Sequence, residues 1–144
     1  MHKNPSDEEL KQLMAHANTI AVVGASSNPE KASYGIMQRL QHVGYNVIPV
    51  NPRATEVLGE RAYSSLVDIP VPIDIVDVFR RAEDTPLIAD EAVQIGAKVF
   101  WLQSGIVNED AAARAKAGGL TVVMDSCLGT MHAMLRVPNK ARSA

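Results

Sequence analysis

Cysteine occurs once, at Cys127, aromatic residues make up 4% of the chain, and histidine stands only at His2, His16, His42 and His132. A single cysteine cannot close an intramolecular disulfide or build a cysteine-cluster zinc site, and it fits a reducing compartment. None of the histidines pair at i, i+4, which argues against a metal centre. Neither charge is in excess, since 14 Lys and Arg against 16 Asp and Glu leave a net charge of −2. Nucleic-acid binding needs a basic footprint and usually stacking side chains, and the chain lacks both. No apolar run approaches the ~20 residues of a membrane span; the longest near the front is Ile20 to Ala25. The first residues carry Asp7, Glu8 and Glu9 and no signal-peptide core, so the expected location is the cytoplasm.

What is present is one domain's worth of core. The 144 residues are 47% hydrophobic, and a chain of this size buries about 68 to 70% of its unfolded surface. Ser6 followed by Glu9 is a capping box, and Leu10, Leu13, Met14 and Ala17 then repeat at helical spacing. Thr19 to Gly24 is a compact apolar run, too short for a helix, as a strand buried on both faces requires. Tyr34, Met37, Leu40 and Gln41 share a helical stripe that Gly44 ends. Strands are expected again at Asn46 to Val50, Ile73 to Phe79, Lys98 to Leu102 and Leu120 to Met124. A short strand falls within Val57 to Tyr63 and one capped turn within Ser64 to Val67. Helices follow at Leu87 to Ile95, with Pro86 in the first turn, at Asn108 to Gly118, and at Gly129 to Leu135. This alternation predicts an α/β, Rossmann-like open sheet, mostly parallel, with helices on both faces. Residues 1–18 form an N-terminal helix on the domain, 19–138 the domain itself and 139–144 a loose tail.

In such sheets ligands bind beyond the carboxyl ends of the strands. Those ends run into Gly24-Ala25-Ser26-Ser27-Asn28-Pro29, Asn51-Pro52-Arg53, Arg80-Arg81, Gln103-Ser104-Gly105 and Asp125-Ser126-Cys127. Small residues, hydroxyls and arginines thus converge on one edge. Gly24 permits a tight turn and the serines offer donors to a phosphate. The loop is not the dinucleotide fingerprint, because Ser26 and Pro29 stand where its second and third glycines belong. The second strand ends in Arg53 rather than the acidic residue that accepts from an NAD ribose, which suits an extra phosphate. An NADP-dependent enzyme or sensor is therefore one alternative, and an interaction module with a vestigial nucleotide pocket is another.

Five motifs, in order and in register with the strands, carry a resemblance: Val22-Val23-Gly24-Ala25-Ser26, Val50-Asn51-Pro52-Arg53, Asp77-Val78-Phe79-Arg80, Trp101-Leu102-Gln103-Ser104-Gly105 and Met124-Asp125-Ser126-Cys127. Together they resemble the small stand-alone CoA-binding proteins, similar to the amino-terminal domain of the succinyl-CoA synthetase α subunit. The resemblance implies coenzyme A or an acyl-CoA as ligand. Ser26, Ser27, Asn28 and Pro29 would line the nucleotide and diphosphate site, and Arg53 would meet a CoA phosphate. Leu102, Gln103 and Ser104 would contact the adenine-pantetheine side, with Phe79 and Arg80 as the neighbouring wall. The synthetase's phosphorylated histidine lies in a second domain with no counterpart here, and this loop has fewer glycines, so ligation is not implied.

No catalytic constellation emerges. Cys127 and His132 are five apart and point in different directions on a helix. Cys127 is expected to be inert, or to form a mixed disulfide with the thiol of CoA if it is exposed and within reach. Asp74 and Asp77 are three apart in an apolar strand, so they face opposite ways, and each is expected to have a partner or to reach a strand end. Trp101, Met124, Met131 and Met134 are expected in the core or in contacts of a homodimer, and His16 and His42 on the surface.

Overall fold

The computed structural model describes residues 1–140, with helix α1 (Asp7–His16), strand β1 (Thr19–Val23), α2 (Ala32–His42), β2 (Asn46–Val50) and the hairpin strands β3 (Glu56–Val57) and β4 (Glu60–Arg61). After a 3₁₀ turn at Leu66–Asp68 come β5 (Ile75–Val78), α3 (Thr85–Gln94), β6 (Val99–Leu102), α4 (Glu109–Ala117), β7 (Thr121–Val123) and α5 (Leu128–Met134). The main sheet has the order β2-β1-β5-β6-β7 with every pair parallel. The expected Rossmann-like α/β fold is the one observed. Among the described residues, no helix is long and apolar enough to cross a membrane.

Local chemistry accounts for the element ends. Ser6 Oγ accepts from Glu9 N at 3.2 Å and the Glu9 carboxylate accepts from Ser6 N, so the capping box closes α1. Asn108 Oδ1 accepts from Ala111 N at 2.9 Å at the start of α4. Pro49 sits in β2, an outer strand of the sheet, where a missing donor leaves no ladder unpaired.

Alternation along the strands divides the core in two. Ala21, Val23, Val76, Val78, Phe100 and Leu102 pack on the α3 and α4 face. Ile20, Val22, Ile75, Val99 and Trp101 pack on the face that also receives Leu10 and Met14 of α1, Met37 and Leu40 of α2, and Leu128 of α5. Met134, expected among buried or subunit contacts, is 69% exposed. His16 and His42 are exposed as expected. Within the stretch expected as a loose tail, Lys140 is held: its N–H donates to Val43 O, its Nζ to Ala15 O at 2.8 Å, and its ammonium lies over Tyr45. Residues 141–144 lie outside the described residues.

His132 is the buried base of this second core. Only 3% exposed, its ring packs edge-on against Tyr45, and neither ring nitrogen has a hydrogen-bond partner. Burial, with Arg39 and Lys140 nearby, pushes its pKa below the ordinary 6.5. The unfolded chain therefore takes up this proton first, and stability falls as pH drops below about 6.5. Urea denaturation should give a lower midpoint at about pH 5 than at about pH 7, and His132→Phe should reduce that difference.

Candidate functional site

The carboxyl edge is built by ladder hydrogen bonds that run past the strand ends. Gly24 N donates to Val50 O, Phe79 N to Val23 O, Gln103 N to Val78 O and Ser126 N to Leu102 O, at 2.8 to 3.3 Å. Each loop therefore leaves the sheet locked to its neighbour. The strand order reverses between β1 and β5, the switch point where such sheets open a crevice. Gly24 has φ +88°, and a Cβ there would lie 2.4 Å from Phe79 O, so only glycine lets the two loops close at this point. Asn51 Nδ2 donates to Ala25 O at 2.7 Å and its Oδ1 accepts from Arg53 N at 2.8 Å, tying the loop after β2 to the loop after β1. Ser26 Oγ and Asn28 Oδ1 accept from Asn28 N and Glu30 N and stiffen the first loop.

A cleft of about 530 Å³ lies on the α2 and α5 face of this edge, lined by Ala32, Gly35 and Ile36 of α2 together with Phe79, Arg80, Gln103, Ser104, Ile106 and Cys127. Arg80 also borders a smaller depression of about 280 Å³ on the α3 face, with Pro52, Ser64 and Ser65. Of the residues expected from the sequence, Phe79, Arg80, Gln103 and Ser104 meet in the larger cleft, and Pro52 borders the smaller one. Ser26 is half-buried, while Ser27, Asn28, Pro29 and Arg53 are exposed; these residues stand outside both linings. Two expectations need correction. Leu102 is fully buried against the α3 and α4 core, and Ala25 is 1% exposed in the other core, so neither side chain has surface to offer a ligand.

The helix α2 lining went unread. Gly35, exposed and with nothing within 4 Å of a Cβ built on it, widens the cleft mouth, and a glycine inside a helical stripe was the available signal. Asp84 was also missed. Its Oδ2 accepts from Arg80 Nη2 at 3.2 Å and Arg81 Nε at 3.4 Å, so both arginines after β5 are already paired. Those arginines hold the Asp84 carboxyl below its ordinary value against a desolvation that opposes ionisation. Arg53, by contrast, has no ion-pair partner among the described residues.

Beneath the cleft lies an unexpected carboxyl. Asp74 fulfils its expectation at the strand's start, accepting from Asn18 N and Thr19 N and pairing with Lys98 Nζ at 3.4 Å. Asp77 does not: it is 0% exposed and neither oxygen has a hydrogen-bond partner. In register between Val22 and Trp101, it shares a strand face with Ile75 and Phe79, so it sits under the cleft wall. Burial, followed by the nearby Cys127, drives its pKa well above the ordinary carboxyl value.

Cys127 itself is half-buried at the cleft wall. Burial opposes its thiolate, yet hydrogen bonds from Thr130, the Gln103 side chain and Gly129 N hold its pKa below the ordinary value. Gly129 lets α5 seat closely on α2, since a Cβ there would come within 3.1 Å of Ile36. His132 turns away to Tyr45, as its spacing from Cys127 predicts.

A further cleft, about 470 Å³, lies at the opposite edge between α1 and the strand starts, bordered by Glu8, Glu9, Asp74 and Lys98. It has no arginine and no glycine turn. Among the described residues, no group of three or more His, Cys, Asp or Glu could hold a metal ion.

A family model described as CoA binding domain matches residues 18–133. The chain is 46% identical over 134 residues to uncharacterized protein YneT of Bacillus subtilis, covering 93% of this chain and 99% of that one. It is 25% identical to the ADP-forming acetate–CoA ligase of Methanocaldococcus jannaschii over 88% of its own length but only 19% of the ligase. Among solved structures, a hypothetical protein from Pyrococcus horikoshii superposes with a TM-score of 0.89 at 35% identity, over 94% of this chain and 99% of that one.

The Gly24 turn gives a direct test of the site's frame. Gly24→Ala should destabilise the fold by about 1 to 2 kcal/mol from its backbone conformation alone, with the contact to Phe79 O adding to this. Chemical denaturation should read that loss as a lower midpoint with an unchanged slope.

Proposed function

We propose that this chain, which belongs to the CoA binding domain family, binds coenzyme A or an acyl-CoA at the carboxyl edge of its sheet and acts there as a binding domain without chemistry of its own. One observation carries the reading: the ends of β5, β6 and β7 and the start of α2 border an apolar cleft large enough for a pantetheine arm, with an unpaired arginine outside it. A ligand with phosphates at one end and a thin, amphipathic arm at the other suits this division. The diphosphate lies along the Ser26 to Pro29 turn, where backbone and hydroxyl donors precede α2. Arg53 meets the ribose phosphate. Phe79, Arg80, Gln103 and Ser104 border the arm, which runs toward Cys127. The chain corresponds to about a fifth of the acetate–CoA ligase it matches, so the ligase activity is not carried over with the resemblance.

The test is a thermal-shift series with CoA, acetyl-CoA, dephospho-CoA, NADPH and ATP. At 100 times its dissociation constant a ligand adds roughly 2.7 kcal/mol, and CoA should raise the midpoint while NADPH does not. The reverse pattern would transfer the site to a dinucleotide. Arg53→Ala should weaken CoA by about tenfold, the size of one charge-assisted contact, and leave dephospho-CoA almost unchanged; equal losses would remove Arg53 from the phosphate. Asp84→Asn should tighten CoA roughly two- to fivefold by freeing Arg80 from an exposed ion pair, a gain read by calorimetry.

A further inference from the structure

We infer that the cleft takes its ligand in acylated form, as the thioester of an uncharged aliphatic acid, with the acyl chain against Ile36 and Ile106 and the thioester carbonyl at Gln103. The inference rests on the coenzyme A reading of this cleft and names the class of acyl group.

Three features of the lining converge. Ile36 of α2, Phe79 after β5 and Ile106 after β6 are each half-buried, packed on the core at one side and bordering the cleft at the other. They come from three separate parts of the chain, so the fold gathers apolar surface in one concavity, which is the mark of a site for an apolar group. Free coenzyme A ends in a small thiol and leaves that surface wet, whereas an alkyl chain beyond the sulfur covers it. The space is there as well. The cleft of about 530 Å³ falls within the range of about 300 to 1,000 Å³ that holds whole drug-sized molecules, and a thin pantetheine arm is small for that class. Gly35 keeps the mouth open, since a Cβ there meets nothing within 4 Å.

The third feature is polar. Gln103 is only 5% exposed and its Oε1 accepts from Leu128 N at 3.1 Å, so its amide N–H₂ is the half it has to offer the cleft. A fixed donor beside aliphatic walls suits a carbonyl that carries an apolar chain, which is the chemistry of an acyl thioester; a thiol is at best a weak acceptor. Charge argues against the other broad classes of acyl group. A dicarboxylic acyl group needs a free cation inside the cleft, but the cation of the lining is Arg80, and Asp84 Oδ2 already accepts from its Nη2 at 3.2 Å. Among the described residues the lining holds no carboxylate, so nothing there favours an acyl group with an ammonium.

Calorimetry with CoA, acetyl-, butyryl-, hexanoyl- and succinyl-CoA tests the inference. Affinity should rise along the straight-chain series by up to about fourfold for each methylene that enters the cleft, leaving hexanoyl-CoA about tenfold or more tighter than CoA. Succinyl-CoA should gain nothing over CoA. S-hexyl-CoA, which keeps the chain and lacks the carbonyl, should bind roughly two- to tenfold more weakly than hexanoyl-CoA. In Ile106→Ala the ratio of hexanoyl-CoA to CoA affinity should fall by roughly three- to tenfold. Should that variant not fold, intermolecular nuclear Overhauser effects in the unmutated protein make the same test: the terminal methyl of hexanoyl-CoA should reach the methyl groups of Ile36 and Ile106. If neither CoA nor any thioester binds, the ligand reading falls and this inference with it. CoA that binds as tightly as hexanoyl-CoA overturns the acyl inference alone, and succinyl-CoA that binds more tightly than hexanoyl-CoA overturns the apolar class. A chain-length gain that Ile106→Ala leaves unmoved, or that brings the chain near neither isoleucine, overturns its placement in this cleft. Equal affinity for S-hexyl-CoA and hexanoyl-CoA overturns the contact with Gln103.

Discussion

The approach of Gly24 to the carbonyl of Phe79 is the constraint on which the carboxyl edge of the sheet depends. Parallel pairing of β1 with β5 brings the chain to this point, and the Phe79 N to Val23 O bond at 2.8 Å continues the pairing one residue beyond the strand. A side chain at Gly24 would push the two loops apart at the place where the strand order reverses. With the loops closed, the first turn, the Asn51 bridge and the Phe79 to Arg80 wall take up fixed relative positions. The cleft on the α2 and α5 face is then the space left between a rigid sheet edge and a helix, α2, that carries no large side chain at Ala32 or Gly35.

Charge at this edge is arranged by pairing rather than by amount. A slightly acidic chain can hold a phosphate ligand if its cations are local, yet Arg80 and Arg81 already share Asp84. The pairing holds the two guanidiniums near the end of β5 and limits how much attraction they offer an incoming anion, since exposed pairs are weak and exchange partners easily. Arg53 lies on a loop tethered by Asn51 and has no competing carboxylate among the described residues. The edge thus combines two arginines reserved by Asp84 with Arg53, which has no ion-pair partner among the described residues.

Much of this was legible in the sequence because period and punctuation are local properties. Thr19 to Gly24 and Ile73 to Phe79 are too short for helices and too apolar for loops, and Ser6 and Asn108 each bring their capping partner with them. The motifs at the strand ends lie together along the carboxyl edge, where Phe79, Arg80, Gln103 and Ser104 border one cleft. Residue by residue the reading was coarser, because a strand's last residues alternate faces: Leu102 and Gln103 are adjacent, yet Leu102 enters the α3 and α4 core while Gln103 reaches across to Leu128. Gly35 and Ile36 were hidden by the same limitation in a helix, where the stripe that packs and the residues that border a cleft lie side by side. Asp84 stayed invisible because its importance comes from what it neutralises.

Asp77 shows where local rules fail for a physical reason. In an apolar strand a carboxylate is expected to find a partner, and Asp74 does so at the strand's start with two backbone donors and Lys98. Three residues on, no donor reaches the middle of the sheet, because every neighbouring backbone amide is committed to the ladder and the flanking side chains, Val22 and Trp101, supply none: the Trp101 indole donates to Ser126 O instead. The carboxyl meets that condition by staying protonated, which shifts its cost to the pH range where the unfolded chain would ionise it, above its ordinary value near 3.8. A residue that lowers stability throughout the neutral range is not explained by packing. Charge on the nearby Cys127 thiol raises that cost further, so the core carboxyl and the cleft's cysteine are linked through the ionisation of the thiol.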